Sequence, residues 1–409
     1  MKRILILGCI AAAVLAIFFS SRIRKIVEYQ NPIVATTTTF KTEPISLKNG
    51  HTFSVTLPEQ YSIQPTAEGL KRIRFMAWSP DRRLFLTDMY DLTDNTKGKI
   101  YIFDEFNEET GTFATSTTYL SNLRNPNSLT FYRDTDGQNW IYIALTDKLI
   151  RYTYEPGDMK PEAAPHVIAV FPAYGNSYKY GGWHLTRTVE IHDDKVYVSV
   201  GSSCNTCEEK EPERASIIQM DPDGSNPRFF AKGLRNAVGM TWVNDELFAT
   251  NMGSDHLGND KPSEMMYRIK PGTNYGWPYC YASNGFIHED TTIKWLRKNI
   301  NCALVPGPDF TFPAHAAPLG LEYIAPSFED PYLRDSFLVA LHGASDLKIG
   351  TGYKLVKVKR DTGEVTDFIT GFLHDGIRSG RPVDVLLYND NSFFFTDDFK
   401  GVLYFVSRK

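Results

Sequence analysis

The chain ends in Pro382-Val383-Asp384-Val385-Leu386-Leu387-Tyr388, the turn Asn389-Asp390-Asn391, Ser392-Phe393-Phe394-Phe395-Thr396 and, after Asp397-Asp398-Phe399-Lys400-Gly401, Val402-Leu403-Tyr404-Phe405-Val406. Three short apolar runs bounded by turn residues predict three antiparallel strands. The same grammar recurs five times upstream, at residues 74–78, 83–87 and 99–103; 128–131, 140–144 and 148–152; 186–191, 195–200 and 215–220; 238–243, 246–250 and 264–269; and 319–324, 336–341 and 353–358. A four-stranded unit repeated around an axis is the mark of a β-propeller. The chain stops at Lys409, too soon for the last set to gain a fourth strand. Residues 52–57 alternate properly and are expected to supply it, joining both ends of the chain in one blade and closing the ring without a long exposed edge. The prediction is an all-β, six-bladed β-propeller with an N-terminal hydrophobic helix and no amphipathic helix after it.

Composition agrees. Of 409 residues, 42% are hydrophobic and 22% charged, which excludes a disordered chain, a collagen and a multi-span membrane protein. Aromatics at 13%, with 29 Gly and 23 Pro, favour strands and turns. The net charge is −4, and residues 1–25 hold five cations and no acid, so the remainder is more acidic still. A broad nucleic-acid-binding surface is excluded.

Behind Lys2 and Arg3, residues 4–21 form an apolar run ending in two serines. As a helix it measures about 27 Å, enough to cross a bilayer. Basic residues flank both ends, so orientation stays open. A membrane anchor over 1–25 is preferred. A cleaved signal, for which Val14-Leu15-Ala16 is a poor site, and a lipoprotein signal at Cys9 are the alternatives. Each places the folded part outside the cytoplasm, in the periplasm or an equivalent compartment. Residues 26–50 read as a polar stalk and 51–409 as the propeller, interrupted by an aromatic insertion over 272–315 that is expected to cover one face. Outside the anchor four cysteines remain. An exported chain favours disulfides, so Cys204–Cys207 and Cys280–Cys302 are expected, in preference to a zinc site or a redox C-x-x-C.

No Walker loop, Rossmann fingerprint, H-E-x-x-H or G-x-S-x-G appears. What stands out is a set of residues beside the predicted strands: His184, Arg235-Asn236, the oxygen-rich stretch Asn251 to Asp260 that suits calcium, Arg378, Arg381 and Asp397-Asp398. Each also has a plain structural reading, as packing, inter-blade pairing or a polar loop.

Four motifs then follow in order: Val200-Gly201-Ser202-Ser203-Cys204-Asn205-Thr206-Cys207-Glu208-Glu209, Gly233-Leu234-Arg235-Asn236-Ala237-Val238-Gly239, Asn274-Tyr275-Gly276-Trp277-Pro278-Tyr279-Cys280 and Gly380-Arg381-Pro382-Val383-Asp384. In these the chain resembles the glucose/sorbosone dehydrogenase family, from about residue 60 to its C-terminus, and the sorbosone or aldose-sugar branch more than the glucose branch. The resemblance implies a six-bladed propeller, typically periplasmic, that uses pyrroloquinoline quinone (PQQ) with calcium. It implies a PQQ-dependent oxidoreductase acting on an aldose or sorbosone-type sugar and passing electrons to an unidentified acceptor. It also implies roles: His184 as general base, Arg235 over the quinone beside Asn236, Arg381 on a cofactor carboxylate, Asp397 as a polar contact, a cofactor lysine at Lys354 or Lys348, and calcium carbonyls at Gly253 and Ser254. The chain departs from the pattern at Trp183, at Asn251 where many relatives have an acid, and at Ala344-Ser345-Asp346.

The residue types suit that chemistry. A flat cofactor with three carboxylates calls for arginines, whose planar forks bind carboxylate bidentately. A neutral histidine suits removal of a hydroxyl proton near pH 7. Trp277 offers a stacking surface to a sugar. Two other readings stay open: a propeller that has lost its cofactor and serves as a binding module, and a calcium-dependent propeller lactonase, whose converging acidic ligands the sequence does not identify.

Overall fold

The computed structural model describes residues 38–173, 184–293, 295–296 and 300–409. The expected anchor at 4–21 lies outside them, as do Gly181, Gly182 and Trp183. Among the described residues there is no α-helix, only two short 3-10 turns, and no helix long and apolar enough to cross a membrane.

Six antiparallel sheets form the ring. Blade 1 is Ile73–Trp78, Leu84–Asp88, Gly98–Asn107 and Thr112–Leu123; blade 2 is Ser128–Arg133, Asn139–Ala144, Lys148–Tyr154 and His166–Val170. Blade 3 is Arg187–His192, Lys195–Val200, Ser216–Met220 and Arg228–Lys232; blade 4 is Met240–Val243, Glu246–Asn251, Glu264–Ile269 and Phe310–Phe312. Blade 5 is Pro318–Ile324, Ser336–Leu341, Lys354–Lys359 and Val365–Ile369. Pro382–Asn389, Ser392–Asp397 and Val402–Arg408 begin blade 6. Turn chemistry matches the sequence. Asn389 Oδ1 accepts from Asn391 N at 2.9 Å, and Asp134 Oδ1 from Gln138 N at 2.8 Å.

The two chain ends do share blade 6, but through a different strand from the one expected. Tyr61–Ala67 pairs with Val402–Arg408 as the fourth strand. Residues 52–57 lie instead in Thr52–Pro58, which forms a hairpin with Phe40–Ser46 and is bridged through Thr56 to Thr370 beside blade 5. Part of the expected stalk is therefore an ordered strand. Pro65 hid the closing strand, because proline removes a ladder donor; on the outermost strand of a blade that donor is not needed.

Apolar seams hold neighbouring blades together. At the closure Phe106 of blade 1 meets Phe405 and Phe394 of blade 6 with centroids 4.7 and 4.9 Å apart, edge to face, each pair adding about 0.5–1.5 kcal/mol beyond burial. Threonines stitch the inner ring: Thr87 Oγ1 donates to Asn127 O at 2.7 Å, Thr188 Oγ1 to Val238 O at 2.6 Å, Thr250 Oγ1 to Leu319 O at 2.8 Å and Thr396 Oγ1 to Arg74 O at 2.7 Å. The first strands of all six blades line an axial cavity of about 290 Å³. Because each blade is antiparallel, the segments entering first strands and the loops joining second to third strands emerge on one face. Every candidate residue named from the sequence falls on that face.

The insertion does structural work as well as covering. Thr273–Asn274 joins blade 3 in parallel, Cys280–Ser283 pairs with Phe286–Glu289, and Phe310–Phe312 is the outer strand of blade 4. The disulfides Cys204–Cys207 and Cys280–Cys302 are both formed.

Candidate functional site

His184 enters blade 3 at φ +49°, a conformation seldom adopted by residues other than glycine. Its Nδ1 lies 2.9 Å from Ser202 O and 3.0 Å from Ser202 Oγ. The Ser202 hydroxyl donates to Cys204 O at 2.7 Å, so the ring contact is best made by Nδ1–H donating to Ser202 O. That tautomer puts the basic lone pair on Nε2. Burial and then the charge of Arg235 hold the imidazole well below its usual range, against the hydrogen bond to Ser202, with Arg187 and Arg214 acting the same way as Arg235. His184 is thus neutral at pH 7.

Arg235 enters blade 4 and is buried, yet it reaches the same spot: its carbonyl accepts from Ser202 N at 2.8 Å. One residue, Ser202, therefore ties the histidine and the arginine segments together. The arginine's Nε donates to Asn205 O and its Nη2 to Asn205 Oδ1, both at 2.9 Å, and Nη2 lies 3.3 Å from Asp255. Asn236 packs beside them. A Cβ on Gly201 would stand 2.3 Å from Asn236 Oδ1 and 2.7 Å from His184 Cβ, so glycine is required by space. Asn236 N donates to Asn251 Oδ1 at 3.0 Å.

Gly253 and Ser254 lie beside this group. Gly253 N donates to Glu264 Oε2 at 2.7 Å; Ser254 Oγ donates to Asn205 O at 3.0 Å and accepts from Trp277 Nε1 at 3.1 Å. Burial pushes the Glu264 carboxyl up to about 8. The insertion closes this side of the mouth. Tyr279 donates to Glu208 at 2.6 Å and His256 meets Asp290 at 2.6 Å. Tyr275 and Tyr279 are buried, whereas Trp277 is half-buried.

Across the ring, on blades 5, 6 and 1, a second cluster centres on Asp398. Its Oδ2 lies 2.8 Å from Arg72 Nη1 and 2.9 Å from Arg74 Nη1, and its Oδ1 2.7 Å from His342 Nε2. Burial alone would raise this carboxyl; His342 and the two arginines hold it well below the usual carboxylate range. Burial, then Arg381, pulls the His342 imidazole down to about 3 against the attraction of Asp398, so its Nε2–H is the donor. Arg381 donates Nε to His342 O at 2.9 Å and Nη2 to Gly343 O, pinning the blade 5 loop.

Two residues of the implied set have other partners in the fold. Lys354 opens a third strand, and its ammonium lies 2.6 Å from Asp367 on the outermost strand of blade 5, away from the axis. Lys348 instead stands exposed in the blade 5 loop on the site face. Asp397 is fully buried, and its Oδ1 accepts from Arg381 N at 2.8 Å and Phe399 N at 2.9 Å. It shapes a turn, while its neighbour Asp398 carries the charge. Sequence reasoning missed Asn205, His342, Arg72 and Glu264. Only Asn205 had a signal, its place inside the C-x-x-C.

Lower in the channel Glu190, Glu322 and Asp384 converge. Burial pushes them up to about 8, 8 and 7; neighbouring carboxylates add to this at Glu190 and Glu322, while backbone donors and Arg74 oppose it at Asp384. Among the described residues the one grouping with metal-ligand spacing is Cys204, Cys207 and Glu209, and the disulfide removes its thiolates.

Comparison with known proteins follows this geometry. A family model described as TrAA12-like matches residues 55–409. The chain is 28% identical over 290 residues to an uncharacterised protein of Borreliella burgdorferi, covering 66% of this chain and 73% of that one. Its fold is similar to the holo form of the pyranose dehydrogenase PQQ domain from Coprinopsis cinerea, with TM-score 0.67, 18% identity and coverage of 87% of this chain and 97% of the other. It is similar also to a calcium structure of a Trichoderma reesei carbohydrate-active enzyme of family AA12, with TM-score 0.69, 16% identity and coverage of 86% and 96%.

Proposed function

This chain belongs to the TrAA12-like family, and from that membership we propose that it is a PQQ- and calcium-dependent sugar dehydrogenase of the aldose or sorbosone type. The observation that carries the reading is the joining of neutral His184 to the Arg235 segment through Ser202 on one face of the ring.

The donor set suits the cofactor. The face presents arginines from opposite sides, Arg235 on one and Arg72, Arg74 and Arg381 on the other, and Arg378 Nε is buried with no hydrogen-bond partner. A planar tricarboxylate suits such a rim. Arg235 and Asn236 would hold its quinone side, and Arg381 and Lys348 its carboxylates. Calcium would take the carbonyl oxygens of Gly253 and Ser254, in the turn that the Gly253 N–H ties to Glu264. When bound, the quinone supplies the hydride acceptor.

The chain's own residues do the rest. His184 takes the sugar hydroxyl proton at Nε2, while Ser202 O holds the ring's other nitrogen and fixes its orientation. Arg235 presents fixed positive charge where negative charge grows, and burial strengthens it. Trp277 offers one sugar-binding wall. The lactonase alternative is not favoured: Glu190, Glu322 and Asp384 line the channel, but among the described residues their carboxylate oxygens do not come within metal-ligand spacing of one another.

The test adds PQQ and calcium chloride to the purified chain and measures aldose-dependent dye reduction. His184→Ala is expected to lower turnover by about 10²–10⁴-fold while quinone binding persists. Unchanged absorbance, unchanged melting temperature and no dye reduction on adding both would overturn the reading.

A further inference from the structure

The C-x-x-C closes a small ring around Asn205 and Thr206. Four hydrogen bonds from two other segments end on Asn205. Its carbonyl accepts from Arg235 Nε at 2.9 Å and Ser254 Oγ at 3.0 Å; its Oδ1 accepts from Arg235 Nη2 at 2.9 Å and Asp255 N at 2.8 Å. The same ring reaches the histidine, because Cys204 O fixes the Ser202 hydroxyl beside His184 Nδ1. Thr206 Oγ1 lies 3.0 Å from His256 Nδ1. Asn205 sits in a loop without regular structure, and such a loop wanders unless it is tied.

We propose that Asn205 is a positioning residue for Arg235, and that the Cys204–Cys207 disulfide is the reducible brace that holds Asn205 in place. The inference rests on the proposed function only in assigning Arg235 to the quinone. Cys204 is buried, but Cys207 is half-buried and open to attack. A dithiol breaks the Sγ–Sγ bond; two electrons and two protons pass to the cysteines, and the reductant leaves as its own disulfide. The loop then loses its closure, and the acceptors of Arg235 move with it.

Five samples test this: the oxidised chain, the chain reduced with dithiothreitol and freed of it under nitrogen before PQQ is added, the same chain reoxidised, Cys204→Ser/Cys207→Ser, and Asn205→Ala. The first readout is PQQ affinity with calcium chloride, followed by quinone absorbance. The second needs no cofactor: the NMR titration of the His184 imidazole between pH 5 and 8, with Arg235, Arg187 and Arg214 as the charges that face it. Reduction, the double serine variant and Asn205→Ala are each expected to weaken PQQ binding about tenfold, equivalent to 1.4 kcal/mol. Each also moves the His184 titration upward as Arg235 withdraws, while burial, the larger cause, continues to hold it below its ordinary value. Reoxidation restores both readouts, and dithiothreitol leaves the double serine variant unchanged, which excludes an effect through Cys280–Cys302. If the double variant does not fold, Asn205→Ala and the reduced chain decide. Identical titration and affinity in oxidised, reduced and Asn205→Ala protein would overturn the proposal. If the oxidised chain binds no PQQ, the proposed function fails alone, and the histidine titration still decides the brace.

Discussion

Two acids of the last blade, both buried, are expected to respond to neutralisation with opposite signs. Asp398 faces Arg72, Arg74 and His342 within 2.7–2.9 Å. Asp398→Asn keeps the shape but leaves the buried Arg74 and the partly exposed Arg72 without their carboxylate, a loss of about 3 kcal/mol. Asp384 accepts from Met76 N at 3.0 Å, and burial pushes its carboxyl up to about 7 from its ordinary value near 3.8. Its raised folded value means that its contribution is most favourable below pH 3.8 and is lost as pH climbs through 7. At pH 8 the wild type carries a burdensome charge there, worth up to about 4 kcal/mol and about 2 after relaxation. Asp384→Asn is therefore expected to match the wild type near pH 5 and exceed it at pH 8. Asp398 has the reverse linkage. Its folded value is depressed, so its contribution is complete above pH 3.8 and fades only in acid below that. The Asp398→Asn deficit is then constant between pH 5 and 8. Calorimetric melts of both variants at the two pH values provide the measurement, with shifts of several degrees expected. An Asp384→Asn melt below the wild type at pH 8, or an Asp398→Asn melt equal to it at pH 5, would refute the assignment of charge to Asp398 and neutrality to Asp384.

Cys280→Ser/Cys302→Ser opens a loop with sequence separation 22 and is expected to cost about 3 kcal/mol, read as a lower melting temperature; mass spectrometry finding free thiols at both positions in the untreated chain would contradict the pairing. Gly201→Ala places a Cβ against Asn236 Oδ1 and His184 Cβ, so the melt is expected to fall by the cost of overpacking, about 1–3 kcal/mol, and PQQ affinity at least tenfold; unaltered affinity in the folded variant would show that these side chains do not share one pocket.

The repeat was legible because half-buried strands alternate with turn residues, and that signal is local. It carried the blade count, while the even number and spacing of the cysteines in an exported chain carried both pairs. Ring closure was legible in kind but not in detail: Tyr61–Ala67 contains a proline, and only its outer position in blade 6 makes that harmless. The candidate site divided the same way. His184, Arg235 and Asn236 could be named from their motifs, but Asp398 could not be distinguished from Asp397, nor Lys348 from Lys354. Each choice turns on which way one side chain points from a strand end.

The sequence by itself determined the strand pattern and the blade number. Tertiary structure alone decided which charges meet. Arg74 and Asp398 stand 324 residues apart in the chain and 2.9 Å apart in space. Protonation follows from that meeting and from burial, since an acid's charge state depends on distance to cations and on loss of water. Neither quantity is carried by residue order, so the neutral histidine, the ionised Asp398 and the uncharged channel acids exist only once the ring has closed.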